Sequence, residues 1–166
     1  MTVSEALSAD EVTAVRELFE EYAGSLPIDL GYQGFAKELA ELPGAYAPPR
    51  GRLLLATIQR VYAGCVALRP VDVLTCEMKR LYVRPEMQGA GVGRMLAERV
   101  IIEARSIGYS VILLDTLPTM QGALHLYESL GFVRRAPYYP SPIEGNVFME
   151  LRLDAGGNSP RKSGGS

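Results

Sequence analysis

The residue types and spacing with the most chemistry in them lie between Thr75 and Arg94, in the stretch TCEMKRLYVRPEMQGAGVGR. Its turn, Gln88-Gly-Ala-Gly-Val-Gly93, sets Gly89, Gly91 and Gly93 just ahead of a long amphipathic run. Glycines let backbone come close to a bulky ligand, and the first N–H groups of a helix have no intrahelical acceptor. Such a turn binds an anion, most often a phosphate. Spacing narrows the choice. A P-loop reads G-x-x-x-x-G-K-[ST] and a dinucleotide fingerprint reads G-x-G-x-x-G, and the turn fits neither. No Gly-x-Ser-x-Gly elbow points to a hydrolase triad, and no His/Cys spacing points to a metal.

The strand leading into the turn carries a second signal. Apolar residues fall on even positions at Leu74, Cys76 and Met78 and on odd positions at Leu81 and Val83. Strand side chains alternate with period two, so the change of parity predicts one extra residue, a bulge near Lys79 and Arg80. A bulge leaves backbone groups unpaired and splays a strand from its neighbour.

Gln88-x-x-Gly91-x-Gly93 after a strand resembles the acetyl-CoA pyrophosphate loop of the GNAT superfamily of N-acetyltransferases, [QR]-x-x-G-x-[GA]. Leu126-Tyr-Glu-Ser-Leu-Gly-Phe132 matches the same superfamily's L-Y-x-x-x-G-F box, in the expected order with a helix and a strand between the two motifs. The resemblance covers Leu53 to Leu153. It implies a mixed α/β (α+β) single domain, residues 1–153, whose central splayed sheet is flanked by helices. Acetyl-CoA is the implied co-substrate, its pantetheine arm pairing with strand backbone at Leu81, Tyr82 and Val83 as an added strand would. Its pyrophosphate would meet Gln88, Gly89, Ala90, Gly91, Val92, Gly93 and Arg94. The implied reaction is direct attack of a primary amine on the thioester in a ternary complex.

For such an acyl transfer the resemblance singles out two side chains. Glu77 precedes Gln88 by the interval that separates the catalytic glutamate from the loop in histone-acetylating members, which makes it the candidate base; a plain surface glutamate paired with Lys79 or Arg80 is the structural alternative. Tyr127, in the L-Y box, stays protonated at neutral pH and is the candidate acid for the departing thiolate; its helical spacing with Ala123 and Leu130 equally suits a core aromatic. Met120 stands where the family often has an asparagine, which leaves Thr116 or Thr119 to supply the missing hydrogen bond. Arg94 is explained as well by an i,i+4 pair with Glu98 as by phosphate.

With 166 residues, 48% of them hydrophobic, the chain supports one substantial core. A formal net charge of -2 excludes a general basic field, so neither nucleic acid nor an anionic membrane is an expected partner. Cys65 and Cys76 read as buried free thiols of a cytoplasmic protein, with no targeting segment. A capping box at Ser8 and Glu11 opens a helix over Ala9 to Tyr22, ended by Gly24. A short helix from Phe35, a hairpin of Leu53–Ile58 with Ala63–Leu68, and a strand over Val73–Val83 follow.

The helix after Gly91 ends at Gly108, Val111–Leu114 reads as a buried parallel strand, and Met120–Leu130 as a helix. Strands near Phe132–Arg135 and Val147–Leu153 complete the sheet, and the Gly/Ser-rich tail 154–166 reads as flexible. The only histidine, His125, falls on the outward side of its helix. A small-molecule or peptide amine would enter from the loops 24–34, 46–51 and 137–145, where Asp29, Glu38, Glu41 and Glu144 lean toward a cationic acceptor. The resemblance also suggests a homodimer. A non-catalytic acyl-CoA-binding or sensing module and a transferase of larger acyl groups are the competing readings.

Overall fold

The computed structural model describes residues 1–153; the tail expected to be flexible lies outside the described residues. Ser8 accepts from the Glu11 N–H at 3.1 Å while Glu11 accepts from the Ser8 N–H at 3.0 Å. This capping box starts α1 (Ala9–Ser25), which buries Ala14, Val15, Leu18 and Phe19. Gly24 does not end the helix. Leu26 does, because the proline after it disfavours the helical conformation there. A 3-10 turn over Leu30–Gln33 leads into α2 (Phe35–Glu41).

Strand β1 (Thr2–Glu5) forms one edge of a single sheet with β2 (Arg52–Ile58), β3 (Val61–Pro70), β4 (Thr75–Val83), β5 (Val111–Thr116), β6 (Val133–Arg135) and β7 (Val147–Arg152). Helix α3 (Val92–Ile107) links β4 to β5, and α4 (Gln121–Ser129) follows β5. The sheet order is β1-β2-β3-β4-β5-β7-β6, antiparallel except for the β4–β5 pair that α3 connects. That crossover is the expected β-α-β unit. No helix among the described residues is long and apolar enough to cross a membrane.

The break in β4 is where the parity change put it. Opposite β3, Tyr82 pairs with Cys65 and Lys79 with Ala67, so three steps on β4 oppose two on β3. The extra residue is Arg80, whose φ of +61° is left-handed. Before it Cys76 and Met78 face α3; after it Leu81 and Val83 do, and Tyr82 turns to the α1 side. Strand β4 pairs with β5 only at Thr75, Cys76 and Glu77, while β5 stays paired with β7 along its whole length. From Met78 onward a slot therefore opens between β4 and β5.

Two cores hold this frame. One joins the sheet to α3 and α4 through residues such as Leu54, Leu96, Ile112 and Met149, the other joins it to α1 through Leu18, Phe19, Leu53 and Leu55, all essentially without solvent exposure. Each such side chain contributes about 2 kcal/mol by transfer from water. Leu124, on the buried side of α4 beside Tyr127, was not anticipated as an inward residue. The strand start expected at Val73 is also corrected. Val73 and Leu74 are exposed because the Asp72 carboxylate takes the Leu74 and Thr75 N–H groups into a tight turn.

Gly64 lies beside the bulge, and a Cβ built there would stand 2.3 Å from the Tyr82 carbonyl oxygen. Gly64→Ala is expected to lower stability by about 2 kcal/mol in urea unfolding. It should also weaken ligand binding in the slot, because backbone on one side of the bulge must shift.

Candidate active site

Gly91 is the N-cap of α3, at φ +82°, and Gly89 sits at φ +87°. A Cβ at either would meet nothing within 4 Å, so backbone conformation, not crowding, calls for glycine at these two positions. No side chain caps α3, which leaves its first amides and the positive end of its dipole facing outward. Gln88 fastens the turn by donating to the Val83 carbonyl at 3.3 Å.

A cavity of about 470 Å³ runs from this turn along the slot. Leu81, Tyr82, Val83, Gln88, Gly89, Gly91, Val92 and Gly93 line it, joined by Tyr22, Met120, Gly122, Ala123 and Leu126. Unpaired strand backbone on one wall and bare helix amides at one end suit an arm with a diphosphate at its end. Ala90 and Arg94 do not line the cavity. The Arg94 guanidinium is taken up by the Ser129 hydroxyl at 2.7 Å and by Glu98 at 3.8 Å, so only its backbone N–H belongs to the turn. The α4 start has no side-chain cap either. Thr116, a suggested substitute for the missing asparagine, donates instead to the Met120 sulfur at 3.7 Å.

At its inner end the slot meets a polar chamber lined by Tyr22, Lys79, Leu81, Asp115, Met120, Tyr127 and Asn146. Tyr127 is buried, with its ring packed against Phe132 at 5.7 Å between centroids, so it is a core aromatic as well as a chamber wall. Burial pushes its phenol well above the usual range, so it stays a proton donor at any ordinary pH. The same cause pushes Tyr22 up to about 12.

Glu77 is not a solvent-facing strand residue, since only 2% of it is exposed. It accepts from Arg69 Nε at 2.8 Å and from the Tyr138 hydroxyl at 2.5 Å, rather than pairing with Lys79 or Arg80. It lines an adjoining opening of about 270 Å³ with Tyr32, Gln33, Lys79 and Tyr138, not the chamber that Tyr127 lines. Lys79, Gln33 and Tyr32 border both spaces.

Sequence reasoning missed Asp115, the one ionisable residue in the apolar strand VILLDT, and that isolation was its only signal. It accepts from the Tyr139 hydroxyl at 2.6 Å and Asn146 Nδ2 at 2.9 Å. The Tyr138 and Tyr139 rings stack edge-on with each other and with Phe148 of β7 at 5.2 to 5.5 Å, which anchors their loop while both hydroxyls reach carboxylates. Of the three loops expected to admit the acceptor, two contribute to these spaces. The third does not, because Tyr46 is buried against Phe19 and donates to Glu38.

Three of the four acidic residues read as favouring a cationic acceptor are otherwise engaged, and the fourth, Glu144, is exposed. Glu38 is paired with Arg80 at 3.0 Å, Glu41 with Lys37 at 4.0 Å, and Asp29 caps the Gly31 N–H. His125 is exposed, as its helical position implied. Among the described residues no group of three His, Cys, Asp or Glu side chains is arranged to hold a metal.

The fold and slot define an acyltransferase of the splayed-sheet kind, and comparison with known proteins agrees. The acetyltransferase (GNAT) family matches residues 13–132. An uncharacterized N-acetyltransferase of Schizosaccharomyces pombe is 38% identical over 155 residues, covering 92% of this chain and 95% of the relative. The L-amino acid N-acyltransferase MnaT of Escherichia coli is 40% identical over 82 residues, 45% of this chain and 46% of that protein. The yncA structure from Salmonella typhimurium, solved with its cofactor acetyl-CoA, has the same fold at a TM-score of 0.68 and 24% identity, covering 92% of this chain and 94% of that one. The chain belongs to the GNAT family of acyl-CoA-dependent acetyltransferases.

Gly91→Ala would place a Cβ on a left-handed N-cap, a conformation that costs an L-residue 1–2 kcal/mol, about a tenfold change in an equilibrium constant. The expected result is a Kd for coenzyme A raised about tenfold by titration calorimetry, with the thermal unfolding curve little changed.

Proposed function

We propose that this enzyme transfers the acetyl group of acetyl-CoA to a primary amine by direct attack, with both substrates bound at once and no acyl-enzyme. The observation that carries the reading is the slot between β4 and β5. It begins at an uncapped helix start and ends at the chamber lined by Tyr127. The backbone of Leu81, Tyr82 and Val83 would hold the pantetheine arm, and the amides of Gly89 to Arg94 the diphosphate. The buried thiols Cys65 and Cys76, the latter pushed up to about 12 by burial, support a reducing, cytoplasmic setting over disulfide chemistry.

The amine must be neutral to attack the thioester carbonyl carbon, and for a lysine-like amine at pH 7 this costs about 4–5 kcal/mol. Two carboxylates are candidates to take the proton. Asp115 is favoured because it lines the same chamber as Tyr127 and is held only by neutral donors. Glu77, the candidate from the resemblance, is already bound by a guanidinium and a phenol; its place beside the adjoining opening keeps it as the second reading. As the C–S bond breaks, the Tyr127 hydroxyl gives its proton to the leaving sulfur and recovers one from the solvent-connected chamber.

Tyr127→Phe is expected to lower kcat by about 100-fold or more, with the acetyl-CoA Kd unchanged, in a thiol-release assay. Asp115→Asn should remove the acidic limb of the kcat/KM profile while Glu77→Gln keeps it. The reverse result assigns the proton to Glu77. Release of no CoA with a panel of amino acids, peptides, polyamines and protein lysines would end the transferase reading.

A further inference from the structure

The chamber beside Tyr127 holds one polar group that the protein leaves unanswered and a second that it answers only in part. Asn146 Oδ1 is buried and has no hydrogen-bond partner among the described residues. Its orientation is fixed, because Nδ2 donates to Asp115 Oδ2 at 2.9 Å and to Ser141 Oγ at 3.3 Å, and a flipped amide would set oxygen against carboxylate. A buried acceptor in this state costs free energy until a donor arrives.

Lys79 is the second. It is 9% exposed, and its ammonium has three N–H donors but one protein acceptor, Gln33 Oε1 at 3.2 Å, which also serves Arg80 at 2.8 Å. No carboxylate lies within 4.0 Å of it among the described residues. The charged groups around it are paired with opposite charges, except Asp115. Glu77 is paired with Arg69, and Arg80 with Glu38. Asp115 is held by Tyr139 and Asn146. Burial is the main influence holding the Lys79 pKa below that of an ordinary lysine, followed by the raising pull of Glu77.

We propose that the acceptor is a free amino acid, its nitrogen donating to Asn146 Oδ1 beside Asp115 and its carboxylate held by Lys79. This rests on the acetyl-transfer reading and names its substrate class. With Arg69 cancelled by Glu77 and Arg80 by Glu38, the site's remaining opposite charges are Lys79 and Asp115, which suits a zwitterion. A protein lysine or a polyamine brings an amine with no anion beside it and leaves Lys79 unanswered. The acceptor's side chain would extend into the adjoining opening, where Tyr32, Val71, Tyr138 and Pro140 offer apolar and aromatic contact and Arg69 and Glu77 already answer each other, so apolar and aromatic amino acids are the first to test.

The test measures CoA release from acetyl-CoA with L-phenylalanine and L-methionine, their carboxamides, and their decarboxylated amines. The wild type should prefer each amino acid over its carboxamide by about 30-fold or more in kcat/KM, the worth of a charged hydrogen bond. Lys79→Met should raise KM for the amino acid and reduce that preference to about threefold or less, with acetyl-CoA binding by calorimetry retained as the check on folding. Equal or better use of carboxamides or decarboxylated amines overturns the proposal and leaves the transferase reading standing, as does activity confined to peptides or polyamines. Should Lys79→Met fail to fold, the wild-type comparison decides alone. If no amine releases CoA, the transferase reading fails and the acceptor assignment with it.

Discussion

The organisation of the site depends on one residue's backbone. Arg80 adopts a left-handed conformation, a strain of about 1–2 kcal/mol for an L-residue, and its own side chain holds it there. The guanidinium is 3% exposed and binds Glu38 at 3.0 Å and Gln33 at 2.8 Å, with its plane near the Phe35 ring. Because the bulge adds a residue, Lys79 and Arg80 both reach Gln33 on the α1 side of the sheet, where a regular strand would send neighbours to opposite faces. The same insertion returns Leu81 and Val83 to the α3 core and leaves the β4 edge free from Met78 onward. Slot, chamber and core register therefore share a single cause.

A sheet can carry this many buried charges only where each is compensated, since an uncompensated one costs far more than a hydrogen bond returns. The chamber follows that rule up to its inner surface. Arg69 and Glu77 form a pair that Tyr138 completes, Arg80 and Glu38 a second that Tyr46 completes, and Asp115 is met by Tyr139 and Asn146. Compensation stops at Lys79 and Asn146 Oδ1. Both groups line the chamber, Lys79 bordering the adjoining opening as well, and an incomplete shell there is what a binding site requires.

Most of the frame was legible because it is encoded locally. A capping box, a parity change and glycines at positive φ each report on backbone within a few residues, and the helices and strands they delimit appear with boundaries shifted by only a few positions. The acceptor side was not legible, because it is assembled from distant segments. Gln33 meets Lys79 across 46 positions and Tyr138 meets Glu77 across 61, and neither separation leaves a periodic trace. Glu38 was hard to read for the same reason, since its partner Arg80 lies 42 positions away and is chosen by packing. Gly24 misled in the opposite way: a glycine ends a helix when φ turns positive, and Gly24 does not turn, so the helix runs on to Ser25 and stops only ahead of Pro27.

Met120 shows how the two halves of the site are joined. It stands at the N-cap of α4, where its side chain caps nothing, and it lines both the slot and the chamber. Its sulfur accepts the Thr116 hydroxyl, so that proton is committed within the protein. On the proposed reading, the arm's amides find partners in the β4 backbone and the bare first-turn amides of α4. These are rigid groups fixed by the bulge and by the packing of Leu124 and Tyr127 on the sheet. Replacing a polar side-chain contact by a thioether shifts recognition of the co-substrate from side chains to backbone. On that reading it also removes one competing polar group from the wall near the reacting sulfur, so each dipole and charge that remains in the chamber counts for more.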